Sequence, residues 1–149
     1  MHAIVSDWDV VRQLGSWPWP PDRTLSASRA RPYAGDGFVW AICRHGRMIG
    51  TVGVTSGELG YMLHPDFHRQ GIMRRAVARA LEEGFSPGRD TIHAGTWADN
   101  DASHALLLSF GFVHWQTTYD RQVARRAPVL GRWYRLTRAR WLETRAQSA

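Results

Sequence analysis

The run His68-Arg69-Gln70-Gly71-Ile72-Met73-Arg74-Arg75 places three arginines and a glycine where a stretch with helical periodicity begins. A helix N-terminus already favours anions, through its unpaired backbone N–H groups and the macrodipole. Exposed cations at that end cost about 0.3–1 kcal/mol each, as do anions such as Glu82 and Glu83 at the far end. Arg75 and Arg79 add a like-charged i,i+4 pair. A bound polyanion makes the arrangement favourable, and Gly71 would let the backbone approach it closely. The plain alternative is the solvated face of an ordinary helix in an arginine-rich chain. A Walker loop is excluded because the chain contains no lysine, and a dinucleotide fingerprint because G-x-G-x-x-G is missing.

Other chemistries fall away on residue type. Without lysine there is no Schiff base and no lysine nucleophile. The single Cys43 forms no internal disulfide, and a reducing, cytoplasmic compartment is the expectation. His64 and His68 stand four apart, but Pro65 and a loop-like setting remove the helical ligand spacing, so no metal is expected. No apolar run approaches the ~20 residues of a membrane span, and no membrane partner is expected.

These residues must be positioned by a fold, and 149 residues that are 44% hydrophobic point to one domain over 1–149. Apolar spacing predicts a helix over 5–14. Trp17-Pro18-Trp19-Pro20-Pro21 then breaks the chain, and Asp22 or Thr24 could cap a short helix through Arg31. Three β-rich runs, 37–43, 48–54 and 58–64, are separated by turn-like Arg44-His45-Gly46-Arg47 and Thr55-Ser56-Gly57 and read as an antiparallel meander. Ile72, Met73, Ala76, Val77, Ala80 and Leu81 form one face of a helix, with Gly84 as its stop. After a Ser86-Pro87-Gly88 turn, a strand over 90–97 precedes a helix over 102–110. Gly111 is placed for a left-handed C-terminal residue. Strands over 112–118 and 132–139 follow, joined by an arginine-rich connection over 121–131. The class is α/β, a mixed sheet in which the meander is followed by a β-α-β crossover.

Order and spacing of these motifs resemble the GNAT superfamily of acetyl-CoA-dependent N-acetyltransferases, in its RimJ/RimL-like branch of ribosomal-protein N-terminal acetyltransferases. The residues that carry the resemblance are Gly57-Glu58-Leu59-Gly60-Tyr61-Met62-Leu63-His64-Pro65, then Arg69-Gln70-Gly71-Ile72-Met73, then Asn100, Ser103 and Gly111-Phe112. The family's loop pattern is Q/R-x-x-G-x-G/A. This chain has His68 at its first position and Met73 at its last, so Gly71 alone meets the strict form.

The resemblance implies the GNAT fold, acetyl-CoA as cosubstrate and an amine acceptor. The backbone over Arg69, Gln70, Gly71, Ile72, Met73 and Arg74 would cradle the pyrophosphate, and Met62 and Leu63 would bond the pantetheine in β fashion. Acetyl transfer to an amine needs a base, a stabilised oxyanion and a proton for the thiolate. Glu58, on the strand that leads into the loop, is the candidate base, or else a solvent-facing strand residue or an arginine partner; His93 is the alternative base. The oxyanion would meet a backbone N–H near Leu63. The second-helix tyrosine of many relatives is replaced by Leu107, so Ser103 is the candidate proton donor, with helix capping as its competing role. Asn100 would position cofactor or water. Trp17 and Trp19 wall the acceptor pocket or simply pack the core.

Relatives usually open with an extra strand. The sheet here is expected to lack it, or the true start lies upstream; an uncovered edge would allow a homodimer, as a hypothesis. Two further functions compete. A CoA-binding relative without turnover would account for the missing tyrosine. A nucleic-acid binder would use residues 121–149, where eight arginines face one glutamate and Arg132-Trp133-Tyr134-Arg135 interleaves aromatic and basic residues. The strand pattern would divide those arginines between two faces, which counts against nucleic acid.

Overall fold

Two hairpin turns set the first half of the sheet. In the computed structural model, which describes residues 1–85 and 88–148, the meander forms from β1 (Gly37–Arg44), β2 (Arg47–Thr55) and β3 (Glu58–Leu63). His45 and Gly46 take φ of 48° and 73°, and Ser56 and Gly57 take 49° and 81°. Left-handed conformations at both central residues give the two-residue turn whose twist matches the flanking strands. A 3-10 turn at Pro65–Phe67 leads into α4 (Ile72–Gly84). Then β4 (Thr91–Trp97) pairs with β3 in parallel. Next come α5 (Asp101–Ser109), β5 (Val113–Gln122) and β6 (Ala127–Thr137). The six-stranded sheet runs β1-β2-β3-β4-β6-β5, antiparallel everywhere except β3–β4, with β1 and β5 as its outer strands.

Each face of the sheet has its own core. On one, Val52, Val54, Leu59, Ile92, Ala94, Tyr134 and Leu136 pack with Val77, Ala80 and Leu81 of α4 and Leu107 of α5. On the other, Met62 and Ala124 pack with Ile4, Val5, Val10, Val11 and Trp17. Gly84 closes α4 for a packing reason: a Cβ there would lie 2.9 Å from both Ile92 Cδ1 and Val54 Cγ2. Gly111 does take the left-handed conformation, with φ of 90°.

Several sequence expectations are corrected. The single helix over 5–14 is two short ones, α1 (His2–Val5) and α2 (Trp8–Val11). Asp7 separates them because its carboxylate accepts from the Val10 N–H and caps a new helix. Asp22, rather than Thr24, caps α3 (Arg23–Arg29), which stops before Arg31. The connection over 121–131 is mostly strand, and β5 and β6 leave only residues 123–126 between them, with Arg126 at φ of 55°. The strand over 132–139 ends at Thr137, and a C-terminal helix missed in the sequence, α6 (Arg138–Ser148), begins at once. Its apolar signal is weak because Trp141, tilted against Phe110, is its one buried side chain among the described residues. Of the expected Ser86-Pro87-Gly88 turn, residues 86 and 87 lie outside those described.

Candidate active site

Beyond one point of contact, β3 and β4 do not pair. Glu58 stands opposite His93 and the His93 N–H donates to the Gly57 carbonyl at 2.9 Å; no later pair joins them. The far halves of both strands instead line a cleft of about 1030 Å³. It runs between the two faces of the sheet and brings together Glu58, Tyr61, Met62, Leu63, Arg69, Gly71, Ile72, Met73, Arg74, Asn100 and Ser103.

Strand alternation sorts the groups on β3. The Gly57 carbonyl points to β4, whereas the His64 N–H donates to Ile49 of β2. Odd-numbered residues therefore turn their backbone to the cleft, and Leu63 offers its N–H there while its carbonyl accepts from His68 Nε2 at 2.9 Å. Met62 turns its backbone to β2: a Cβ on Gly50 would lie 2.5 Å from the Met62 carbonyl oxygen. What Met62 gives the cleft is its side chain. His68, at the first position of the loop pattern, spends its ring on the Leu63 carbonyl.

The loop after β3 forms a concave set of amides. Arg69 and Gly71 are both left-handed, at φ of 57° and 69°, and such turns aim successive N–H groups inward. Gly71 stands at the N-cap of α4 with no side-chain cap, and the first helical bond is from Arg75 to Gly71. The N–H groups of Ile72, Met73 and Arg74 thus have no partner within the helix. Arg74 donates to Ser109 Oγ at 2.8 Å and lies over the Phe110 ring. Among the described residues none of Arg69, Arg74 and Arg75 meets a carboxylate. The acids at the other end are accounted for differently, since Glu82 bridges Arg79 and Arg145. Gln70 points its side chain away from the cleft, accepting from Arg44 and donating to the Asp66 carbonyl.

Glu58, Gly60 and Met62 share the face of the N-terminal helices, whereas Leu59 and Tyr61 face α4 and α5. Glu58 is exposed, as a solvent-facing strand residue would be, yet partial loss of water raises its carboxyl above the ordinary value while nearby His93 pulls it part of the way back. It makes no hydrogen bond or ion pair among the described residues, so the arginine-partner role is not seen. A carboxylate held at a raised pKa is a better base near neutral pH. On α5, Asn100 Oδ1 accepts from the Ser103 N–H and caps the helix. Ser103 is therefore capped rather than capping. Leu107 is fully buried in the core.

Some lining groups had no clear signal in the sequence. Trp97 and Trp133 line the cleft, whereas Trp17 and Trp19 pack with the N-terminal core. Trp133 lies against Gly95, where a Cβ would meet its ring at 3.2–3.3 Å, and is fixed by donation to Thr118 Oγ1. Arg125 ties down three lining residues: it pairs with Asp99 through both Nη1 and Nη2, and donates to the Arg12 carbonyl and Gln13. Those bonds hold the Asp99 carboxyl below its ordinary value. Arg126, Arg138 and Arg140 likewise donate to backbone carbonyls. Much of the basic C-terminal stretch is thus committed to the protein itself, which weakens the nucleic-acid alternative. Among the described residues no three of His, Cys, Asp and Glu gather to hold a metal, and no helix is long and apolar enough to cross a membrane.

Residues 1–113 match the acetyltransferase (GNAT) domain family. The uncharacterised N-acetyltransferase YoaA of Bacillus subtilis (strain 168) is 34% identical over 86 residues, 51% of this chain and 49% of that protein. The L-amino acid N-acyltransferase MnaT of Escherichia coli (strain K12) is 31% identical over 80 residues, 54% of this chain and 44% of that protein. The chain spans about half the length of these curated relatives. A crystal structure of a probable GNAT-family acetyltransferase from Chromobacterium violaceum ATCC 12472 shares the fold, with a TM-score of 0.71 at 20% identity over 94% of this chain and 82% of that one.

Proposed function

We propose, on the premise that the chain belongs to the acetyltransferase (GNAT) domain family, that it transfers an acetyl group from acetyl-CoA to a primary amine by direct attack in a ternary complex. One observation carries this reading: a single cleft joins an anion cradle of unpaired amides to an unpaired carboxylate on the opposite face of the sheet. The inward amides over 69–74, with Arg69 and Arg74, suit the pyrophosphate. The free N–H of Leu63 suits first the thioester carbonyl and then the oxyanion that replaces it. Glu58 takes the proton of the incoming amine, directly or through one water, and Ser103 serves the departing sulfur. Asn100 holds the first turn of α5 in place.

The acceptor enters from the Glu58 face, past Gly60, Gly95 and the Trp97 and Trp133 rings. The RimJ/RimL-like resemblance favours a protein N-terminus, and the relative that acylates L-amino acids favours a small amine; both present an α-amine. The chain acts in this reading as one N-acetyltransferase domain, and its free, exposed Cys43 is compatible with the reducing cytoplasm. Calorimetry with acetyl-CoA, followed by thiol release in the presence of N-terminal peptides, amino acids and polyamines, tests it. Amine-dependent release is expected; binding without turnover on any amine would favour a CoA-binding protein without catalysis.

A further inference from the structure

Strand register carries the Glu58 face across the sheet. Glu58 pairs with His93; further along β4, Gly95 pairs with Trp133 and Trp97 with Gly131, and Gly131 pairs in turn with Thr118 of β5. Glu58, Gly95, Trp97, Gly131, Thr118 and Asp120 therefore share one face. Gly131 leaves a hollow there: a Cβ on it would lie 2.9 Å from Thr118 Oγ1, 3.7 Å from the Trp97 ring and 3.8 Å from Asp120 Oδ2. Gly131, Trp97 and Asp120 all line the cleft. The charges of this acceptor side are unequal. Its arginine, Arg12, is held by Asp9 at 3.0 Å and Asp99 at 3.1 Å, and Arg125 takes both oxygens of Asp99. Asp101 stands in the first turn of α5, where the helix dipole favours it. Asp120 makes no ion pair among the described residues. An acceptor carboxylate would thus meet no free arginine among the described residues on this side, whereas a cation would meet the Asp120 carboxylate and the Trp97 ring together.

We propose that Asp120 is a specificity-determining residue for the acceptor, receiving, with the Trp97 ring, a second positive charge that the amine substrate carries. This rests on the acetyl-transfer reading above and narrows its substrate class. The reacting nitrogen must come to the gap between β3 and β4, where the Leu63 N–H is offered. The hollow at Gly131 lies over β6, one strand beyond β4. With strands about 4.8 Å apart, the two charges of the acceptor are separated by on the order of 10 Å. A long diamine meets that requirement, as does a peptide N-terminus followed by a basic side chain, and neither carries the α-carboxylate of a free amino acid. The distal cation keeps its proton and takes no part in the transfer; it holds the acceptor while the reacting amine gives its proton to Glu58.

The test compares hexamethylenediamine with hexylamine, and a peptide with arginine as its second residue with the same peptide carrying glutamate there. Initial rates of thiol release are measured for the wild type, Asp120→Asn and Asp120→Arg, with acetyl-CoA calorimetry and thermal melts as checks that each variant keeps its cleft. The wild type should favour the doubly charged member of at least one pair in kcat/KM, through KM, and the preference should weaken with added salt. The pair that shows it identifies a diamine or a peptide as the source of the charge. An exposed ion pair helped by an aromatic ring accounts for about a factor of five, so Asp120→Asn should shrink the preference about fivefold. Asp120→Arg should reverse it. Equal kcat/KM within both pairs in the wild type, or a preference that survives Asp120→Asn at full size, would overturn the proposal. Absence of transfer to any amine would instead sink the acetyl-transfer reading. Calorimetry of hexamethylenediamine with the coenzyme A complex would then still test Asp120: weaker binding to Asp120→Asn is expected, and equal binding would overturn its role.

Discussion

Glu58→Gln keeps the shape of the cleft and removes the base, and the size of its effect depends on the amine. At pH 7 an alkylamine with a pKa near 10.4 is neutral in roughly one molecule in 10³, whereas an α-amine at 7.7–8.0 is neutral in roughly one in ten. A variant that must wait for the neutral amine should thus lose on the order of 10³-fold in kcat/KM with a polyamine and about tenfold with a peptide N-terminus, with the loss of base positioning added to both. The pH dependence carries a sign. Burial raises the Glu58 carboxyl, with His93 opposing in part, so wild-type activity should fall on the acid side at a pH above the usual carboxylate value. The variant should lack that limb, climb as pH rises, and close on the wild type near the pKa of the amine. Initial rates of thiol release from pH 5 to pH 10, on both amine classes, give the curves. A ratio of variant to wild type that stays constant across pH would refute the role of Glu58 as base.

Arg74→Glu should weaken acetyl-CoA binding in calorimetry far more than Arg145→Glu, because Arg74 stands at the unpaired amides of α4 while Arg145 bridges Glu82; equal effects would remove the anion cradle. Gly111→Ala should destabilise by about 1–2 kcal/mol from its left-handed backbone alone, and by more because a Cβ there lies 2.6 Å from Thr144 Oγ1, which chemical denaturation would measure. Gln122→Leu should cost about 3 kcal/mol or more. Its buried amide serves the Val11 and Leu14 carbonyls and the Arg125 N–H, and a thermal melt no lower than the wild type would contradict that account.

What could be read in the sequence was governed by local physics. The two hairpins needed only His45-Gly46 and Ser56-Gly57, and α4 followed from its apolar spacing and Gly84. The charged loop before α4 stands out in the sequence because its arginines oppose the helix dipole, a contradiction contained in one segment. The helix break at Asp7 was not visible, because apolar residues keep helical spacing across it and a cap decides the matter. The long β5–β6 hairpin was hidden by arginines such as Arg125, whose composition reads as a loop but whose partners, Asp99 and the Arg12 carbonyl, lie far away in the chain. The same holds for the site. Glu58 and Ser103 stand out by their place in motifs, whereas the placing of Trp133 against Gly95 depends on contacts between elements that no spacing encodes.

The most direct measurement is of stoichiometry: acetyl-CoA and a peptide bearing a free N-terminus are incubated with the protein, and released thiol is compared with peptide carrying one added acetyl group by mass. Transfer by direct attack predicts one acetylated amine for each thiol released, no acetylated protein, and release that ceases when the amine is omitted or Glu58→Gln is assayed at low pH. Thiol release at the same rate without amine, or no release with any amine despite bound acetyl-CoA, would contradict it.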